Sequence, residues 1–246
     1  MAGTSSEARA IVRSAGSTRT TVSDATPAAK RLYQAAIKLF SAKGYEATGI
    51  RELADAAGLS TSALYHYMGT KQDLLVRIAH DSMARLLRVS RLAVEDLHLP
   101  EQQVAALVQV HVSGHAHYRL ETLVADNELR ALTPENLART IILRDQYELL
   151  WESAIDAGKK SAVFYTHDSD LARLALIAMC TGIARWYSPT GRLSLQSLAV
   201  RHVDMALQLL DAHRGGGPLR YVDLDLPEPA FYEALVARIW GNPAEL

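Results

Sequence analysis

Residues 58–71 read GLSTSALYHYMGTK, a run with two tyrosines, a histidine, four small hydroxyl residues and two glycines. Gly58 stops a preceding helix, Ser60 is placed to cap a new one, and Ala63, Leu64 and Tyr67 share its inward face. Upstream, Leu32, Ala36, Leu39 and Phe40 fall on one face of a helix that Gly44 ends. Between the two, Thr48 is expected to cap a helix whose apolar stripe is Ile50, Leu53, Ala54 and Ala57. Downstream, Thr70 and Asp73 form a near capping box for a long helix that starts at Lys71 and runs into the nineties. Three short helices thus share a small core, and a tight turn at Gly58-Leu59 separates the second from the third. That spacing predicts a helix-turn-helix, whose second helix enters the major groove of DNA. Such a helix needs hydroxyls for phosphates, polar tips for base edges, and methyls or rings for thymine. Thr61, Ser62, Tyr65 and His66 offer these opposite Leu64, with Lys71 within expected reach of a phosphate. The plainer alternative is a small three-helix unit in which the hydroxyls only cap.

The surrounding sequence bounds the choice. Hydrophobic residues make up 49% of the 246 and charged residues 22%, the balance of an ordinary globular chain. The net charge is −1, yet residues 1–80 carry 10 Lys+Arg against 6 Asp+Glu, while the remainder carries 16 against 21. A basic front and an acidic body suit an N-terminal end that meets a polyanion. Cys180 is the single cysteine, which excludes an intramolecular disulfide and a CxxC zinc site and fits a reducing cytoplasm. Residues 1–27 are small, polar and mildly basic, and read as a disordered arm with no secretory core. The run LARLALIAMCTGIARWY (171–187) approaches membrane length, but Arg173 and Arg185 interrupt it, so it reads as a buried helix.

The stretch AIKLFSAKGYEATGIRELADAAGLSTSALYHYMGTKQDLL (36–75) resembles the DNA-binding domain of the TetR family of transcriptional regulators along its whole length. The matching marks are Phe40 with Gly44-Tyr45, Thr48, Ile50-Arg51-Glu52-Leu53-Ala54, Ala57-Gly58-Leu59-Ser60, Leu64-Tyr65 and Lys71 before Leu74. Two positions depart from the pattern. Met68 stands where phenylalanine is usual, and Gly49 where threonine or serine is common. The resemblance implies an all-α fold: a domain over 28–75 that binds DNA, and a larger helical domain over 76–214 that binds a ligand and dimerises. It also implies that Thr48, Arg51, Thr61, Ser62, Tyr65, His66, Tyr67 and Lys71 face DNA. Arg51 is the candidate base reader; its alternative is an exposed pair with Asp55.

From residue 99 onward five or six helices are expected, over 100–114, 134–158, 171–187, 195–213 and, beyond the GGGP break at 215–218, a short one at 227–240 in a C-terminal extension (215–246). Helix 171–187 is apolar nearly all round, as if one side met a partner subunit. With 195–213 it resembles the pair through which TetR-type proteins form two-fold dimers. The segments ELRALTPE (128–135), RDQYELLW (144–151) and ARWYSPTGRLS (184–194) resemble a subgroup whose members commonly answer to acyl-coenzyme A thioesters. Arg144, Tyr147 and Trp151 form one stripe of a long helix and are candidates to line a ligand site, as is His115. Arg185, expected on a buried apolar helix, needs an anion there: a ligand, or Glu128 or Asp145. His111, His115 and His117 raise a metal reading, which Gly114 and the lack of a nearby acidic or cysteine ligand weaken; neither metal nor cofactor is expected.

The implied function is a homodimeric cytoplasmic repressor, released from a palindromic operator by a small effector. A TetR-type regulator of a drug or signalling molecule is a second possibility. An all-helical enzyme is a rival from another class, but the chain has no GxSxG elbow, phosphate loop or GxGxxG turn, and Cys180 has no evident base. A DNA-organising protein without a ligand is the third.

Overall fold

A computed structural model describes residues 26–241. The disordered arm expected over 1–27 falls almost wholly outside them. The amino-terminal unit is built from α1 (Pro27–Lys43), α2 (Ile50–Ala57) and α3 (Thr61–Met68). Its core is Leu32, Tyr33, Ala36 and Phe40 of α1 against Leu53, Ala54 and Ala57 of α2 and Leu64 and Met68 of α3. Helix α4 (Lys71–Val94) closes this core with Leu74, Leu75, Ile78 and Ala79, then continues into the body.

The body adds α5 (Pro100–His117), α6 (Arg119–Asn127), α7 (Pro134–Lys160), α8 (Ser169–Thr181), α9 (Ile183–Trp186) and α10 (Leu195–Leu209). A two-residue hairpin, β1 (His213–Arg214) with β2 (Gly217–Pro218), leads to α11 (Pro229–Trp240). Helix α5 runs through the middle, buried almost all round from Val104 to Ala116. Among the described residues no helix is long and apolar enough to cross a membrane.

Three features differ from the expected elements. Gly114 does not end α5, which runs to His117, its residues from Val104 to Ala116 buried in the body. Helix α6 has no counterpart among the expected helices: Glu121 and Thr122 are buried on it with Val124 while Leu120 is 38% exposed, so polar residues make up much of its buried face. The apolar run 171–187 is two helices, interrupted at Gly182. The C-terminal helix packs into the body core through Tyr232, Leu235, Val236 and Trp240.

Candidate nucleic-acid interface and effector cavity

The helix-turn-helix is set by local chemistry. Gly58 ends α2 at φ 64°, the left-handed region that favours glycine, and the Leu59 N–H donates back to Ala54 O at 2.9 Å. Ser60 Oγ then accepts from the Ala63 N–H at 3.2 Å and starts α3. Thr61, Ser62, Tyr65 and His66 are exposed on α3, Tyr65 by 50%, while Leu64 on the opposite face is fully buried. Arg51 is exposed in the first turn of α2 and forms no ion pair with Asp55 among the described residues. Tyr67 is half-buried, edge-on to His66 at 5.2 Å, and so offers less surface than its neighbours.

Two residues are held differently from expectation. Thr48 does not cap α2; Gly49 does, and the Thr48 hydroxyl is buried and donates to Gly44 O at 2.8 Å. The hydroxyl thus serves the turn after α1 and does not face solvent. Lys71 does not reach outward. Its ammonium donates to Tyr45 O at 2.9 Å and Thr48 O at 3.0 Å and lies 4.2 Å from the centre of the Tyr45 ring. It ties the start of α4 to the turn between α1 and α2.

A cavity of about 520 Å³ lies in the body between α4, α5, α6, α7 and α8, within the range that holds a small organic ligand. Its apolar wall includes Ala79, Met83 and Leu86 of α4, Ile177 of α8 and Trp240 of α11. Polar residues interrupt that wall, and three of them form a node centred on His111. His111 Nδ1 lies 2.5 Å from the Tyr147 hydroxyl and Nε2 lies 3.1 Å from Thr181 Oγ1. Burial, reinforced by His115 and His202, pushes the His111 pKa well below its usual range, so the ring is neutral with one donor and one acceptor nitrogen. Burial likewise raises Tyr147, which stays a phenol. His115 stacks on His111 at 4.1 Å, and its Nε2 lies 3.6 Å from the Asp126 carboxylate at the cavity edge.

Arg144 and Arg185 both line this cavity and both are exposed. Arg144 Nε donates to Glu148 Oε1 at 2.9 Å, and Glu148 is shared with Arg173. Arg185 is not buried and pairs with neither Glu128 nor Asp145. It is exposed on α9, where Nη2 donates to Asn127 Oδ1 at 2.6 Å. Trp151 is fully buried in the body core, edge-on to Tyr147 at 6.3 Å, and does not line the cavity. His117 sits at the surface, 3.4 Å from Glu233. Burial raises the Cys180 thiol, which therefore stays protonated.

Outside the cavity lining lies a further buried pair that no sequence pattern marks. Arg85 Nη1 of α4 donates to Glu121 Oε1 of α6 at 2.7 Å, beside Tyr33 of α1. Burial raises the Glu121 carboxyl to about 7, opposed in part by Arg85. No periodicity rule flags it, since a buried carboxylate on a short helix reads as a solvent-facing residue until its partner is placed.

The profile described as "Bacterial regulatory proteins, tetR family" matches residues 32–78. A second, "Tetracyclin repressor-like, C-terminal domain", matches residues 98–210. A TetR family transcriptional regulator, PfmR from Thermus thermophilus, superposes with a TM-score of 0.66 at 31% identity, over 72% of this chain and 97% of that one. The chain belongs to the TetR family. As a TetR-family member it is a helix-turn-helix DNA-binding regulator and not an enzyme. The HTH-type transcriptional repressor KstR2 of Rhodococcus jostii (strain RHA1) is 25% identical over 178 residues, 72% of this chain and 87% of that relative. The structure of AibR in complex with isovaleryl coenzyme A and operator DNA shares the TetR-family fold. Its TM-score is 0.67 at 23% identity, over 72% of this chain and 97% of that one.

Proposed function

We propose that this TetR-family protein is a homodimeric repressor released from its operator by an acyl-coenzyme A thioester. The observation that carries the effector reading is the double duty of α4. Leu74, Leu75, Ile78 and Ala79 close the core of the DNA-binding unit, and Ala79, Ser82, Met83 and Leu86 wall the cavity. A ligand seated there bears directly on the helix that positions α3. Release requires that the ligand fit the non-binding arrangement better, since equal affinity for both arrangements shifts nothing. The apolar wall suits an acyl chain, and the neutral His111–Tyr147 node suits its carbonyl. Arg144 and Arg185, exposed at its edge, suit phosphates left in solvent. AibR, which shares the fold, is described with isovaleryl coenzyme A and operator DNA together.

The test is titration of the protein–operator complex with acyl-CoA thioesters and their free acids. At least one thioester should release DNA where its free acid does not. Arg185→Ala should leave operator affinity intact and raise the thioester concentration needed for release by about fivefold, because an exposed charge contact is screened. Release by free acids alone, or by no thioester, would remove the coenzyme A reading.

The dimer reading is supported by large apolar side chains left exposed on α8, α9 and α10: Leu171 by 64%, Leu174 by 48%, Trp186 by 58% and Met205 by 41%. Two recognition helices would then meet an inverted repeat about one DNA turn apart, ~34–36 Å or somewhat more. Arg51→Ala should relax base preference at a cost of roughly 1–3 kcal/mol, while Tyr65→Ala should weaken binding to all sequences. Footprinting across variant operators distinguishes the two. A monomer in sedimentation at micromolar concentration, or protection of one unrepeated half-site, would sink the dimer reading.

A further inference from the structure

The cavity is not walled by the family-matched part of the chain alone. The C-terminal domain profile ends at residue 210, yet Trp240, the last residue of α11, lines the cavity alongside α4 and α5. The indole is 6% exposed and stacks on the Tyr118 ring at 5.3 Å and 19°. Its outer edge lies against Gly114, where even an added methyl would sit 3.7 Å from Cη2. The Tyr118 hydroxyl donates to Gly241 O and so pins the end of α11 beside the ring. The Trp240 indole N–H completes no hydrogen bond of ordinary geometry, although it lies close enough to the Glu121 carboxylate to favour its charged form. Packing is therefore the main hold on this side chain, and a smaller ring in its place would break no well-formed hydrogen bond.

We propose that Trp240 sets the size of the apolar group the effector cavity accepts, so that the C-terminal helix determines specificity. The inference rests on the reading of this cavity as the effector site. The ligand it gauges is the acyl portion of an amphiphile, because what the indole adds to the wall is a broad apolar ring. Truncating it leaves space against Gly114 and Tyr118, two positions whose own packing does not refill it. Alanine opens that space fully and phenylalanine in part, which makes the size dependence graded.

The experiment is isothermal titration of wild type, Trp240→Phe and Trp240→Ala with straight-chain thioesters from butanoyl- to hexadecanoyl-CoA. A parallel series of 1-alkanols from butanol to decanol and an operator-binding assay without ligand accompany it. The ratio of long-chain to short-chain affinity should rise by about tenfold or more in Trp240→Ala and by an intermediate factor in Trp240→Phe, with ligand-free operator affinity within about twofold of wild type. An unchanged ratio, or an equal loss of affinity for every chain length, overturns the proposal even if thioesters bind. If no thioester binds wild type, the coenzyme A reading fails by itself. The alkanol series then decides Trp240: a graded shift upholds its role, and the same preference in all three proteins, or no binding by any, overturns it.

Discussion

Arg85→Met is expected to destabilise the fold by about 3–5 kcal/mol near pH 8, because it leaves the Glu121 carboxylate buried without its cation. Glu121 is 3% exposed, and its second oxygen already lacks a well-formed hydrogen bond among the described residues. The sign of the pH dependence follows from the raised carboxyl. Its ordinary value is 4.5 and its value in the fold about 7, so between these the folded chain holds a proton that the unfolded chain has released. The stability this group contributes is complete below about pH 4.5 and is lost as pH rises through about 7. The swing is on the order of 3 kcal/mol, and Glu121→Gln should flatten it. At Arg85 itself burial acts downward, but Glu121, Tyr33 and Asp81 outweigh it and keep the guanidinium charged. Arg85→Met should accordingly cost less near pH 5, and Arg85→Met with Glu121→Gln should recover most of the loss. Urea unfolding of the four proteins at both pH values measures this. Equal destabilisation by Arg85→Met at both, with no recovery in the double variant, would show that lost packing and not the unpaired carboxylate is responsible. The pair joins α4 to α6 next to Tyr33 of α1, so its loss should also loosen the seat of the DNA-binding unit.

Lys71→Met should lower stability by roughly 2–4 kcal/mol, the worth of two charge-assisted hydrogen bonds and a cation over a ring, and with it operator affinity. Placed from sequence as a phosphate contact, Lys71 would instead leave stability untouched and reduce the salt slope of binding by about one unit. The structure favours the first outcome, since the ammonium already donates to the carbonyls of Tyr45 and Thr48. Thermal unfolding beside binding at several salt concentrations separates the two. Wild-type stability with a reduced slope would return Lys71 to the DNA.

The residues of the recognition unit could be read one turn at a time. Gly44, Gly58, Ser60 and the Thr70–Asp73 pair act within four residues of themselves, and their caps and stops stand where those residue types place them. The apolar stripes of α1 and α2 share that locality, which is why the helix-turn-helix and the long α4 were legible. The carbonyl contacts of Lys71 were not, because its partners Tyr45 and Thr48 lie 26 and 23 residues away, and a lysine at a helix start looks the same whether it meets a carbonyl or a phosphate.

The body was legible only in outline. Glu121 breaks the pattern of α6, since its burial is compensated by Arg85, 36 residues distant, and a periodicity reading assigns a carboxylate to water. Arg185 reads as buried because its neighbours are apolar, yet it lies at the surface with Asn127, 58 residues away, as its partner. The aromatic stripe of α7 was sound as a helix face, yet that face passes from the cavity at Tyr147 into solid core at Trp151 one turn later. Trp240 joins the cavity although 93 residues separate it from Tyr147. The sequence by itself thus determined the elements whose causes are local: caps, stops, stripes and the exposed face of α3. Only the tertiary structure decided which charges are paired, which rings line the cavity and which helix closes it. Those outcomes depend on groups brought together from distant parts of the chain, and neither propensity nor spacing carries that information.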